Sequence, residues 1–250
     1  MTREESLLAK RFVDLSRQAQ QKNIVVFSEF LNLNELNIFS QEISRLYSDY
    51  EISGGYKLSE RQMIAFIPDA LCYTWNYPIS CLCITPLNRK FAEELTHRDV
   101  LGSIMNLGIE RSKLGDILVG EKEIYVFCQE KLAPYLCSEL TRIRHTTIKV
   151  QPVLPDELNI QLRTEHAEGI ISSNRLDSII ACICKISRSQ ANQWIKGGKI
   201  FLNNRETIQP SAECRPGELI SVRSIGRFRF VECIGETRKG RLKIKYEKYI

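Results

Sequence analysis

The stretch SRSQANQWIKGGKIFLNN, residues 187–204, decides how the last third of the chain is read. Ser187 followed three residues later by Gln190 has capping-box spacing, in which side chains satisfy backbone donors that a helix start leaves unpaired. Ala191, Trp194 and Ile195 then recur at i, i+3 and i+4, the apolar stripe of a short amphipathic helix, with Arg188, Asn192 and Lys196 away from its centre. Gly197 or Gly198 can take the left-handed conformation that stops such a helix. In KIFLNN, Ile200 and Leu202 share one face of a strand, and Asn203-Asn204 supplies turn chemistry. The pattern predicts a helix packed back on a strand, with basic residues at both helix ends. Arg188 is expected to reach outward without contributing to the core, and Trp194 to be a buried aromatic.

Working outward, SSNRLDSIIACICKI predicts a second helix just upstream. Asn174 is its expected cap, Asp177 lies in its first turn, and Leu176, Ile179, Ile180 and Ile183 recur with helical period. Downstream, Arg-Pro-Gly-Glu at 215–218 is a tight turn. In RFRFVEC, Arg227, Arg229 and Val231 alternate with Phe228 and Phe230. In RLKIKYEKY, Arg241, Lys243 and Lys245 alternate with Leu242, Ile244 and Tyr246. Period-two alternation predicts a twisted hairpin with one apolar and one cationic face.

Charge placement supports this division. Residues 175–250 hold 16 Lys plus Arg against 7 Asp plus Glu, a net +9, whereas residues 1–174 hold 19 against 23, a net −4. Basicity confined to one segment is the footprint of a nucleic-acid-binding module joined to something more neutral. With 250 residues, 43% of them hydrophobic and 26% charged, the chain has room for two or three small domains with real cores. No apolar run is long enough for a membrane span and the first residues lack a secretory signal's apolar segment, so a cytoplasmic protein without membrane contact is expected. Nine cysteines without C-x-x-C or Cys/His zinc spacing read as small hydrophobes in a reducing compartment.

Upstream, residues 3–22 predict an amphipathic helix with Leu7, Leu8, Arg11, Phe12 and Leu15 near one stripe. An α/β unit then follows, ending near Asn76, with Gly54-Gly55 as a turn between strands. From there the order is strand SCLCITP, helix HRDVLGSIMNLG, strands GDILV and EIYVFC, helix EKLAPYLCSEL and strand TTIKVQPVL. That is the β-α-β-β-α-β order of a ferredoxin-like domain. Pro152 and Pro155 mark its exit, and a short extended connection leads to the two helices.

Motifs for catalysis are weak. His97-Arg98-Asp99 begins like a kinase catalytic loop, but the Asn five residues on, the D-F-G and the Gly-rich loop are absent. Thr96 with Asp99 instead has capping-box spacing. Arg175-Leu176-Asp177 opens like a pseudouridine synthase motif, but what surrounds it does not match. Lys-Gly-Gly-Lys lacks the upstream Gly and following Ser/Thr of a phosphate loop. No catalytic residue, metal ligand or cofactor is expected.

Residues 175–222, from RLDSIIACICKISRSQANQWIKGGKIFLNN through RPGELISV, resemble the alpha-L RNA-binding motif. This is the S-four domain of ribosomal protein S-four, tyrosyl-tRNA synthetases, pseudouridine synthases and a small heat-shock ribosome-binding protein. The resemblance implies RNA contacts by Arg175, Ser187, Arg188, Lys196, Lys199 and Asn203. The cationic hairpin adds Arg223, Arg227, Arg229, Arg241 and Lys243. Residues 96–119 and the terminal SVRSIGRFRFVECIGETRKGRLKIKY look like the bacterial YlmH family, with Ser224 where that family usually has Gly and Glu218 where it has Asp.

The likeness implies an α+β protein with an N-terminal α/β region at 1–76, a ferredoxin-like (RRM-like) domain at 77–156 and an S-four RNA-binding domain at 166–250. With no catalytic constellation in the sequence, a non-enzymatic protein is expected; the oligomeric state is left open, with a monomer the expectation. The implied partners are ribosomal RNA of the large subunit, peptidyl-tRNA and an RqcH-type tailing factor, in quality control where stalled chains receive C-terminal alanines. His97, Arg98, Arg111 and Lys113 form a second candidate RNA surface. An RNA-modifying enzyme that uses the S-four domain for delivery, or a scaffold for division proteins, are the alternatives.

Overall fold

The computed structural model describes residues 3–89, 92–120, 123–154, 164–203, 205–223 and 225–249. Pro155, Asn204 and Ser224, which the sequence reading used, lie outside them. The fold is α+β, in two compact units, residues 1–161 and 162–250.

The first unit opens with helix α1 (Arg3–Lys22). It buries Ala9, Phe12, Val13, Ser16 and Ala19, a stripe rotated from the expected one, and Leu7 is exposed. The short residues let α1 approach closely, so the larger Leu8 and Leu15 pack only at the margins. Strand β1 (Val26–Phe27), helix α2 (Leu33–Glu42), strand β2 (Asp49–Ser53) and strand β3 (Met63–Ile67) follow. Their sheet has the order β1-β3-β2. Asn32 caps α2 in a full capping box with Glu35. Phe39 then packs edge-on to Phe12, Tyr50 and Phe66, tying both helices to the sheet.

The same unit continues through β4 (Ile79–Pro86), α3 (His97–Asn106), β5 (Leu114–Val119), β6 (Ile124–Gln129), α4 (Ala133–Glu139), β7 (Arg142–Ile143) and β8 (Thr146–Val153). The sheet order is β5-β6-β4-β8-β7 with every neighbouring pair antiparallel, the arrangement of a split βαβ. Thr96 and Asp99 form the expected capping box at α3. Leu82, Ile84, Val126, Cys128, Ile148 and Val150 face the helices and pack on Val100, Ile104 and Leu136.

Residues before β4 cover part of the opposite sheet face. Tyr56 stacks on the buried Phe127 of β6, with ring centroids 4.9 Å apart and planes 25° off parallel. Asp116 of β5 is buried and accepts hydrogen bonds from the Tyr56 hydroxyl (2.6 Å) and the backbone amides of Glu60 (2.7 Å) and Arg61 (3.0 Å). Burial raises its pKa above the usual carboxylate range, against the opposing pull of those donors. Arg61 spans Phe30, Arg111 and Leu114 by bonding to their carbonyls, which clasps the N-terminal residues to β5.

The second unit begins with β9 (Thr164–Ile171), which the sequence reading treated as a short connection. It is an edge strand paired along its whole length with the last strand, β14 (Leu242–Tyr249). Between them lie α5 (Leu176–Ile183), α6 (Arg188–Lys196), β10 (Ile200–Leu202), β11 (Arg205–Glu206), β12 (Leu219–Val222) and β13 (Gly226–Glu236). The sheet runs β11-β10-β12-β13-β14-β9. Ile179, Ile183, Ala191 and Ile195 from the helices meet Ile200, Ile220, Phe228, Phe230 and Ile244 from the strands in one core. Arg175, not Asn174, caps α5, and no side chain bonds there. Asn174 is engaged elsewhere, its carbonyl accepting from the Cys214 amide at 2.8 Å.

Asp116→Ala should destabilise the first unit by about 3 kcal/mol, because three donors lose their acceptor at a buried site. Tyr56→Phe should cost about 1 kcal/mol, the worth of one hydrogen bond with the ring stack kept. Urea unfolding of the full chain, followed by fluorescence, measures both, and the Asp116 effect should be the larger.

Candidate RNA-binding surface

A single carboxylate organises the start of both helices in the second unit. Asp177, its side chain only 2% exposed, receives Arg188 through Nε at 3.0 Å and Nη2 at 3.1 Å. It also receives Arg175 through Nε at 3.3 Å and Nη2 at 3.1 Å. Burial pushes the Asp177 carboxyl upward, but the hydrogen bonds and charges of Arg188 and Arg175 outweigh it and leave the pKa lowered. The same hydrogen bond raises that of Arg188. Arg188 is therefore a structural partner of a buried acid, contrary to the expectation that it adds nothing to the fold. Both arginine side chains remain close to half exposed, 45% and 47%, and two cations around one anion leave a net +1. Each guanidinium is held in a fixed plane with one edge on Asp177, so its remaining donors are already oriented for a phosphate.

Ser187 is the N-cap of α6 and its hydroxyl accepts from the Gln190 backbone amide, which is the Ser187 half of the expected capping box. Arg188, Asn192 and Lys196 fall at i, i+4 and i+8 along this nine-residue helix, which spans about 13 Å. Gly198, with φ +67°, turns the chain after it. Lys199 follows, its amide bonded to the Trp194 carbonyl and its ammonium 5.8 Å from the Trp194 ring centre. Trp194 is half-buried, not enclosed as the sequence suggested, because its ring lies at the margin of the core under Lys199. The Arg223 amide donates to the Lys199 carbonyl at 2.9 Å, so the exposed residues Lys196, Lys199 and Arg223 gather at the C-terminal end of α6.

The remaining predicted contacts divide. Arg241 and Lys243 are exposed. Asn203, at φ +50°, accepts from the Leu219 amide at 3.0 Å and donates to Glu218 at 3.1 Å, and Glu218 accepts from the Arg215 amide at 2.8 Å. Both ends of the Asn203 amide thus serve the turn. Arg227 is buried, and Arg227 and Arg229 both lie against the Tyr249 ring, at 6.0 and 5.8 Å. The expected cationic hairpin face is a mixed one. Register places Lys245 beside Glu232 and Glu168, and Glu247 beside Arg229 and His166. Alternation within one strand reveals which residues share a face, but the acids come from its neighbours.

Residues 75–157 match the family described as "Putative RNA-binding domain in YlmH". Across 98% of this chain and 96% of the other, the sequence is 24% identical to the Bacillus subtilis (strain 168) "Ribosome-associated protein quality control protein P2". The chain is similar to the YlmH family. The solved structure of "Cell division protein ylmH from Streptococcus pneumoniae" covers 64% of this chain and 97% of its own, with a TM-score of 0.52 and 20% identity, and shares the fold.

Within the segment matched to YlmH, the second predicted surface is smaller than expected. Arg111 donates to the Leu114 and Gly115 carbonyls at 2.9 and 2.8 Å, and burial lowers its pKa to about 10, helped by the neighbouring Arg61. Lys113 is paired with Glu29 at 2.6 Å. Both are spent on the fold, whereas His97 and Arg98 stay exposed at the start of α3. The His97 imidazole titrates below its ordinary value because of desolvation and then the Arg111 charge. The sheet face that base-stacking domains of this topology use is blocked at Phe127 by Tyr56. Asp177 is the residue whose role the sequence reading missed. An acid in the first turn between two arginines, in RLD and then SR, was the available signal.

Arg188→Ala should lower stability by about 1–3 kcal/mol, since Asp177 keeps Arg175 but loses a charge-assisted fork. Because the Asp177 pKa is lowered by folding, its contribution is complete above the pKa of an ordinary, unfolded aspartate and is lost as pH falls through the folded value. Urea titrations from pH 2 to 6 should show this acid-side loss in the native chain and its absence in the Asp177→Asn variant.

Proposed function

We propose that this chain is a non-enzymatic, cytoplasmic RNA-binding protein of the large ribosomal subunit, acting in the quality control of stalled nascent chains. Residues 166–250 serve as its S-four module and grip structured RNA along α6. The carrying observation is the pair of half-exposed arginines fixed on buried Asp177 at one end of a helix whose other end gathers Lys196, Lys199 and Arg223. Fixed guanidiniums and clustered ammoniums bind a phosphate backbone at little ordering cost, and counterion release drives the association. The relative described as a ribosome-associated quality control protein, similar over nearly the full length of both chains, supports the ribosomal partner.

Peptidyl-tRNA and an RqcH-type tailing factor are the further partners under this reading. Arg98, with His97, is the residual second contact from the other unit. Among the described residues no group of His, Cys, Asp and Glu could hold a metal ion, and no helix is long and apolar enough to cross a membrane.

Co-sedimentation with purified large subunits tests the reading. Lys196→Glu combined with Lys199→Glu, at exposed positions outside the Asp177 cluster, should weaken binding at least about tenfold, since each good charged contact is worth about 1–3 kcal/mol. Arg98→Glu should weaken it less. Undiminished binding by the double variant, or modification of an RNA base by the purified protein, would overturn it.

A further inference from the structure

The tip of the β13–β14 hairpin carries four exposed cations, Arg238, Lys239, Arg241 and Lys243, in a stretch, residues 237–243, that contains no acid. The turn is closed on itself. The Thr237 amide donates to the Arg241 carbonyl at 2.7 Å, the Gly240 amide to the Thr237 carbonyl at 2.9 Å, and the Arg241 amide to the Thr237 hydroxyl at 3.1 Å. Gly240 sits at φ +69°, which lets the chain reverse there. Arg238 and Lys239 occupy the corner of this ordered turn, so a partner need not order the backbone to meet them.

Register tells where the tip lies within its unit. Leu242 pairs with Ile171, so the tip is at the end of the sheet from which the chain enters α5. Cys233 Sγ reaches Asn174 Oδ1 at 3.5 Å, and Arg188 Nη1 reaches Ser172 Oγ at 3.4 Å. The hairpin end and the Arg175–Asp177–Arg188 group therefore flank the same segment, residues 172–175. The β13 residues beyond Arg229 have left β12 behind, and two register shifts, between Phe230 and Glu232 and between Cys233 and Gly235, add twist to this part of the hairpin. The acids flanking the stretch, Glu232 and Glu236 on β13 and Glu247 on β14, lie on the strands; Glu232 is paired with Lys245 at 3.6 Å.

We propose that the hairpin tip is an additional phosphate-contacting element for double-stranded RNA. It would extend the α6 surface past Arg175 by seating Arg238, Lys239 and Arg241 on the backbone of the same RNA helix. The inference rests on the RNA-binding reading of this unit and adds a contact that none of the helix residues makes. Duplex RNA fits better than a single strand, because the tip offers cations without an aromatic platform, and A-form helices are recognised largely through their backbone.

The test measures the affinity of the full chain for a blunt RNA duplex across a salt series. The triple variant Arg238→Ala, Lys239→Ala, Arg241→Ala should lower the slope of log K against log salt by about 2–3, roughly one per lost phosphate contact, with residual binding through α6. A control removing the exposed Lys10, Arg11 and Lys22 of α1 should leave the slope unchanged, and thermal melting should be the same for all three proteins. An unchanged slope in the tip variant, or an equal fall in the control, would overturn the tip contact while leaving the α6 reading intact. If the native chain fails to bind duplex RNA, both fall.

Discussion

A carboxylate buried beneath two arginines governs the second unit. Ionised Asp177 is tolerable at 2% exposure only because both guanidiniums bond to it, and those arginines come from the starts of two different helices. The pair thereby sets how α5 and α6 begin relative to each other, and it turns two flexible cations into fixed ones. Asp116 in the first unit makes an instructive contrast. It too is buried, but its donors are a phenol and two backbone amides, while the nearby guanidiniums bond mainly to carbonyls. Burial raises its pKa, whereas the bonds and charges of Arg188 and Arg175 lower that of Asp177. One acid anchors cations that remain presented to solvent; the other anchors chain.

That distinction orders the basic residues. Arg61, Arg111 and Lys113 are used as struts inside the first unit, and Arg227 and Arg229 pack on Tyr249. Arg175 and Arg188 are both strut and surface. Lys196, Lys199, Arg223, Arg241 and Lys243 are surface. Net charge counts all of these alike, although only the surface groups can neutralise a phosphate.

Most of the element order and the starts of α3 and α6 were legible in the sequence because their determinants are local, whereas the start of α5, at Arg175 and not Asn174, was not. Thr96 with Asp99 and Ser187 with Gln190 act within one helical turn, and alternating strands show their period directly. The Tyr56–Phe127 stack and the Glu29–Lys113 pair were not legible, since each joins residues far apart in the chain. The same reason hides the fate of Arg111, whose side chain needs carbonyls that only the folded β5 supplies. The candidate site was legible as to which residues are basic, and illegible as to which are already paired. The connection at 164–171 was underestimated because its partner is the last strand.

That pairing has a temporal side. β14 lies between β13 and β9, and joining it to β9 brings together residues separated by roughly 70–85 positions. During synthesis, β9 emerges first and waits, its long edge without a neighbour, until Tyr249 has been added. Contacts of such wide sequence separation form slowly, because the intervening chain must be ordered or its loop closed before they are rewarded. The unit therefore completes its sheet late, and truncation by even one strand would leave both β9 and β13 with open edges.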